Sequence, residues 1–220
     1  MIVNFLTVNT TWNREKVVDF MKERDFEATF LDLPEHFEPY LAKRITPYPE
    51  LGYSQDLRSC EPILNFCWEK GIRIYCYLDT KTSQERMEIQ IELARLVLRS
   101  KLRGVDLEEW KEAVFRDIAI RESSAERIEM KIRENAKRLN ACLNLPPEVE
   151  ESLKRDFEVE RISLYDFRRP IDAIYDIALR ELRGEEVSEE QWLEAIRRHI
   201  AFVDTVVELG YEEACKLVWV

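Results

Sequence analysis

Only five glycines and two histidines occur in the 220 residues, and this scarcity argues against several chemistries. No glycine-rich loop follows an apolar run: the first turn reads TVNTTWN, with neither GxGxxG nor GxxxxGK[ST]. Dinucleotide and P-loop phosphate binding both rest on such loops, because backbone N–H groups must approach the phosphates closely. The GxSxG elbow of serine hydrolases is missing as well. His36 and His199 lie far apart, so no histidine cluster is available. His36 follows Pro34-Glu35 and reads as a helix-start residue, and His199 beside Arg198 reads as a boundary residue on an amphipathic helix.

Long apolar runs are also missing: none approaches the ~20 residues of a spanning helix, so no membrane partner is expected. The chain starts in the strand-like MIVNFLTV with no basic n-region or small-residue cleavage site, which makes the expected location cytoplasmic. Five cysteines, Cys60, Cys67, Cys76, Cys142 and Cys215, are scattered through apolar patterns without the close pairs of zinc sites. They read as buried thiols, and neither a metal nor a cofactor is expected. Positive charge is in deficit, with 33 Lys and Arg against 44 Asp and Glu and a net charge of -11. That balance disfavours nucleic acid, whose affinity rests on neutralised phosphates. Arg168-Arg169 and Arg197-Arg198-His199 are the nearest approach to a basic patch, and they read as solvated helix ends.

What is present is a folded protein: 45% of the residues are hydrophobic and 35% charged. The chain is long enough to bury a core. High Glu, Lys and Arg with little Gly resembles thermophile usage. Residues Arg73 to Thr82, RIYCYLDTKT, form an apolar run rich in β-branched and aromatic residues, the pattern of a buried strand, here expected to be central. Similar runs at Ile2 to Val8, Ala28 to Leu33, Arg138 to Leu145 and Val159 to Tyr165 supply four more strands. Between them lie helical patterns: Arg14 to Arg24, with Asn13 as its cap, a short one near Phe37 to Arg44, Ser54 to Gly71, and Glu148 to Asp156. Two long helices are expected over Ser83 to Arg103 and Asp106 to Lys137. Pro170 to Gly184 and a capping box at Ser188 and Gln191 open a helical C-terminus.

This order predicts an α/β fold: a mainly parallel sheet of about five strands, helices on both faces, a long helical pair and a helical C-terminal region. One domain over 1–220 is the expectation, with 81–137 as a helical insertion or lid and 168–220 as its helical end. The long helices are read as a homo-oligomer surface or as plain packing against the sheet.

In such folds ligands bind beyond the carboxyl ends of the strands. That places Asn9 and Trp12, then Asp32, Glu35 and His36, then Asp79, Asn144, Arg168 and Arg169 at a candidate crevice. Asp32, Glu35 and Asp79 suit a hard divalent cation or acid–base work, with an arginine holding an anionic group. The simpler reading of the same acids is that they cap the helices that follow the strands.

Phe30-Leu31-Asp32-Leu33-Pro34-Glu35, Trp68 to Asp79, Arg121-Glu122 with Glu126-Arg127, and Val149 to Asp166 fall in an order that resembles TraB/ChaN-like, erythromycin-esterase-related domains over residues 1–166. The resemblance implies hydrolytic or metal chemistry on two Gly-x-x-His turns. At those places this chain has Thr7-Val8-Asn9-Thr10 and Asn144-Leu145-Pro146-Pro147, so the family chemistry is expected to be lost or rebuilt on Asp32, Glu35, Asp79 and Arg121. Two functions follow as expectations: a non-catalytic or degenerate hydrolase-like protein that binds a small ligand or partner, and a divalent-metal-dependent hydrolase using the strand-end carboxylates.

Overall fold

A computed structural model describes residues 1–47, 54–165 and 169–217. Five parallel strands form one sheet in the order β3-β2-β4-β1-β5: β1 (Ile2–Leu6), β2 (Ala28–Pro34), β3 (Arg73–Leu78), β4 (Asn140–Leu143) and β5 (Val159–Ser163). The α/β expectation therefore holds. The helices are α1 (Thr11–Met21), α2 (Glu38–Leu41), α3 (Ser54–Lys70), α4 (Thr80–Arg103), α5 (Leu107–Asn135), α6 (Pro147–Leu153), α7 (Pro170–Leu182), α8 (Glu189–Leu209) and α9 (Tyr211–Leu217). None of them is long and apolar enough to cross a membrane.

The chain divides into two compact units, Met1–Ser83 with Ser123–Asp166, and Gln84–Glu122 with Phe167–Val220. In the first, side chains alternate across the pleat. Val3, Phe5, Leu31, Leu33, Cys76 and Leu143 pack against α1 and α3. Ile2, Ala28, Phe30, Tyr77 and Cys142 pack against Ile128 and Ile132 of α5 and Val149 and Leu153 of α6. The second unit has its own core, in which Leu93, Leu96 and Val97 of α4 and Trp110 and Val114 of α5 join Ile174 of α7 and Trp192 and Ile196 of α8. The Ser188–Gln191 capping box forms as the sequence predicts.

Several boundaries differ from the sequence reading, each for a local reason. The run Arg73–Leu78 is an edge strand and not a central one; the centre is the fully buried four-residue β4. Apolar composition reports burial of the faces, not rank within the sheet, and position in the chain carries no strand order. β1 stops at Leu6 because two side-chain amides take over its ladder: Thr7 N donates to Asn144 Oδ1 (2.7 Å) and Val8 N to Asn13 Oδ1 (3.0 Å). Asn13 thus does not cap α1, whose N-cap is the extended Thr10. In β2 the register against β3 shifts between Leu31 and Pro34, and Pro34 still pairs with Leu78. Such irregularities re-aim side chains, and Asp32 sits inside this one.

The connections set where a ligand crevice lies. β1–α1–β2 and β2–α3–β3 step toward the β3 edge, with α1 and α3 on one face. The β3–β4 and β4–β5 connections step back toward the β5 edge, with the end of α5 and α6 on the other face. Because crossovers are right-handed, a reversal of direction moves the helix to the opposite face. β4 sends its chain to one face while its two neighbours, β1 and β2, send theirs to the other. The carboxyl end of β4 is therefore flanked by topological switch points, the default ligand crevice of an open α/β sheet.

Candidate functional site

The residues at that crevice are joined around the Asp32 carboxylate. Asn144 follows β4 in the left-handed region, φ 52°, which asparagine tolerates and which turns its amide back over the sheet. Its Nδ2 donates to Asp32 Oδ2 (2.7 Å) and to Thr7 Oγ1 (3.1 Å). From α1, Arg14 Nη2 donates to both Asp32 oxygens, each at 2.9 Å, and to Asn9 Oδ1 at 2.7 Å. Asn9 Nδ2 in turn bonds Asp56 at the start of α3, and Gln55 Nε2 donates to the Asn9 carbonyl (2.7 Å). The turn after β1 is thereby tied to β2, β4 and α3 by polar bonds.

Arg14 is the member that the sequence reading missed. Its side chain is 0% exposed, against 15% for Asp32. Burial works against its charge, but the carboxylates of Asp32 and Asp56 more than offset that and hold the guanidinium protonated well above its ordinary range. Its Nη1 donates to Cys60 Sγ at 2.7 Å, and burial pushes the Cys60 thiol up to about 12, so the sulfur stays a neutral acceptor. Two polar atoms here, Arg14 Nε and Thr10 Oγ1, are buried without a hydrogen-bond partner among the described residues. The available signal was weak: in the sequence Arg14 is one charged residue on an amphipathic helix, and nothing in a 3.6-residue period marks a cation as inward-facing.

A second polar group forms at the ends of β2 and β3. Asp79 accepts from Thr82 N (3.0 Å) and so opens α4. Arg127 of α5 reaches both Asp79 and Glu35, each at 3.6 Å, and Thr80 N donates to Glu35 Oε1 at 3.4 Å. His36 Nδ1 lies 3.4 Å from Thr80 Oγ1. Burial of Asp79 works against its charge, but the hydrogen bonds from Thr82 and the charge of Arg127 hold the carboxyl below the usual range. Asp79 thus stands at the end of β3 and caps the helix that follows.

The other candidates have partners of their own. Trp12 is on the first turn of α1, with Lys16 Nζ 5.5 Å from its ring centroid. Arg121 belongs to the second unit, where it and Arg86 flank the buried Asp117 together with the Tyr175 hydroxyl. Arg169, also in the second unit, is bound to Asp172 (2.7 Å) and to the Tyr211 hydroxyl (3.2 Å). Arg168 lies outside the described residues, as does Asp166. Arg197 and Arg198 pair with Glu190 and Glu194 on their own helix.

A carboxylate has about four lone-pair positions, and Asp32 uses three, two toward Arg14 and one toward Asn144. Its remaining capacity, at the exposed edge, fits a hydroxyl or N–H donor. Among the described residues no group of three His, Cys, Asp or Glu side chains is placed to hold a metal ion. No family model matches the chain, and neither a curated protein nor a solved structure does.

Proposed function

We propose that this protein is a non-catalytic, hydrolase-like α/β protein that binds a small ligand bearing hydroxyl or N–H donors at the crevice beyond β1, β2 and β4, and that it associates with copies of itself through its long helices. One observation carries the reading: a wholly buried arginine is spent on orienting one partly exposed carboxylate. A buried ion pair contributes little net stability, and apolar residues of the same volume usually do as well. Holding Arg14, Asp32, Asn9 and Asn144 in place is therefore explained by binding. The resemblance to TraB/ChaN-like domains fits this reading: the two turns where those domains carry histidine are, in this chain, the ones that supply Asn144 to Asp32, Thr7 to Asn144 and Asn9 to Arg14. Polar amides in those places orient a ligand but do not transfer protons near neutral pH. The five thiols, all buried and unpaired, suit the reducing cytoplasm in which we place the protein.

The divalent-metal hydrolase reading asks more of the site. An ion on Asp32 would displace Arg14 and Asn144, and one on Glu35 and Asp79 would displace Arg127. The test is a panel of polyols, nucleosides and small amides titrated against ¹⁵N-labelled protein, reading the side-chain amides of Asn9 and Asn144. At least one donor-bearing class is expected to move both signals, and Asp32→Asn to weaken that binding tenfold or more. Binding that leaves these amides unmoved would overturn the proposal. So would Mn²⁺-dependent hydrolysis of a phosphoester or amide that Asp32→Asn abolishes.

A further inference from the structure

The outer face of α4 repeats at helical spacing: Glu88, Ile91, Arg95, Leu98 and Leu102 recur every three or four residues. Ile91 is 39% exposed, Leu98 62% and Leu102 84%, although the opposite face of the same helix, Ile89, Leu93, Leu96 and Val97, is buried in the second unit. Glu88, Ile91, Glu92, Arg95, Leu98 and Arg99 line a shallow surface groove. Single exposed apolar residues are ordinary, but an apolar row along one helix, flanked by charge, marks an association surface.

The order of the charges names the occupant. Both acids, Glu88 and Glu92, precede both bases, Arg95 and Arg99, on this face. Glu88 and Arg95 form no ion pair among the described residues, while Glu92 and Arg99 pair with Arg116 and Glu109 of α5 and keep much of their side chains exposed. Against a parallel copy, acid would face acid and base would face base. Against an antiparallel copy, a two-fold axis at the level of Ala94 brings Glu88 level with Arg99 of the second copy, Glu92 with Arg95, and Ile91 with Leu98. Each pair matches to within about 1.5 Å, the rise of one residue. A face complementary to its own two-fold image is what an isologous contact requires.

We infer that two copies of this chain associate through an antiparallel α4–α4 contact centred near Ala94. This deepens the self-association in the function proposed above and is independent of the strand-end crevice, so loss of the contact leaves the Asn9 and Asn144 signals in place. The contact is confined to one helix pair, so it is a weak dimer, formed at micromolar concentrations and above.

Light scattering coupled to size exclusion, run between about 10 and 200 µM, a range that brackets a dissociation constant of tens of micromolar, tests it on the full chain. The expected results are a concentration-dependent dimer for the wild type and monomer for Leu98→Glu and for Arg95→Glu. Glu92→Arg combined with Arg95→Glu restores the dimer by reversing the pair. Because all native cysteines are buried, introduced ones report geometry. Oxidised Arg95→Cys cross-links to its copy, whereas Glu88→Cys and Leu102→Cys, whose copies lie about 18 and 24 Å apart along the axis, do not. A monomer throughout the range, a dimer indifferent to Leu98→Glu, or equal cross-linking at all three positions would each overturn the inference. Circular dichroism on every variant separates a lost contact from a lost fold.

Discussion

Arg14 and His199 each hold a polar nitrogen buried without a hydrogen-bond partner among the described residues. Removing one partner of a buried pair leaves the other uncompensated, at about 3–5 kcal/mol, whereas replacing both by apolar residues is often neutral. Arg14→Ala is therefore expected to lower stability by about that amount, and Arg14→Met with Asp32→Leu to recover most of it, as read by urea unfolding. Recovery of stability with loss of ligand-induced amide shifts would separate the binding role of the pair from its structural one. His199 of α8 sits edge-on to Trp110, with ring centroids 6.0 Å apart, and its Nδ1 is buried without a partner among the described residues. Burial, with help from Arg169 and against Asp172, lowers its pKa to about 4. The folded state thus holds it neutral while the unfolded chain takes up a proton below its ordinary value of about 6.5. Stability from this group is complete above that value and is lost as pH falls toward 4. The expected observation is a urea midpoint that falls between pH 7 and pH 4.5, with a shallower fall in His199→Phe. An equal slope in the variant would remove His199 from the account.

At the scale of elements, one carboxylate joins three helices of the second unit, α4, α5 and α7. Asp117 of α5 accepts from Arg86 of α4 (3.2 Å), from Arg121 one turn along its own helix (2.7 Å) and from the Tyr175 hydroxyl of α7 (2.6 Å). Burial works against its charge, but Arg121 and Arg86 outweigh that and hold the carboxyl below its usual range, while burial pushes Tyr175 up to about 12. A depressed carboxyl contributes stability that is present above its unfolded pKa of about 3.9 and is lost as pH falls below it. Asp117→Asn is expected to cost about 3 kcal/mol at neutral pH, because two arginines lose their counter-charge. The gap from wild type should shrink below pH 4, which paired unfolding curves would show. In the first unit, the register shift in β2 and the left-handed Asn144 after β4 act together: both occur where the Asp32 carboxylate is aimed.

Across the whole molecule, net charge governs behaviour in solution. With -11 charges at pH 7 and an isoelectric point near 4.9, self-repulsion is strong at neutral pH and vanishes near pH 5. Turbidity is expected to peak within about half a unit of the isoelectric point and to fall on either side, which light scattering would follow. A maximum elsewhere would mean that folding masks charge unevenly. Local periodicity determined the element types and the α/β class: alternating apolar runs for five strands, a 3.6-residue stripe for the helices, and serine and glycine punctuation where α8 begins and α3, α4 and α7 end. Those are properties of neighbouring residues, and burying one face of each element is enough to enforce them. Strand order is not such a property, which is why Arg73–Leu78 read as a pillar at the centre and stands at the edge. Nor was the composition of the crevice. Asp32, Asn9 and Asn144 were legible as strand-end residues, but Arg14 was not. What brings them together is a set of crossovers that reverse direction around β4, and only the tertiary fold could decide that a charge on the second turn of a helix would be sealed against a carboxylate two strands away.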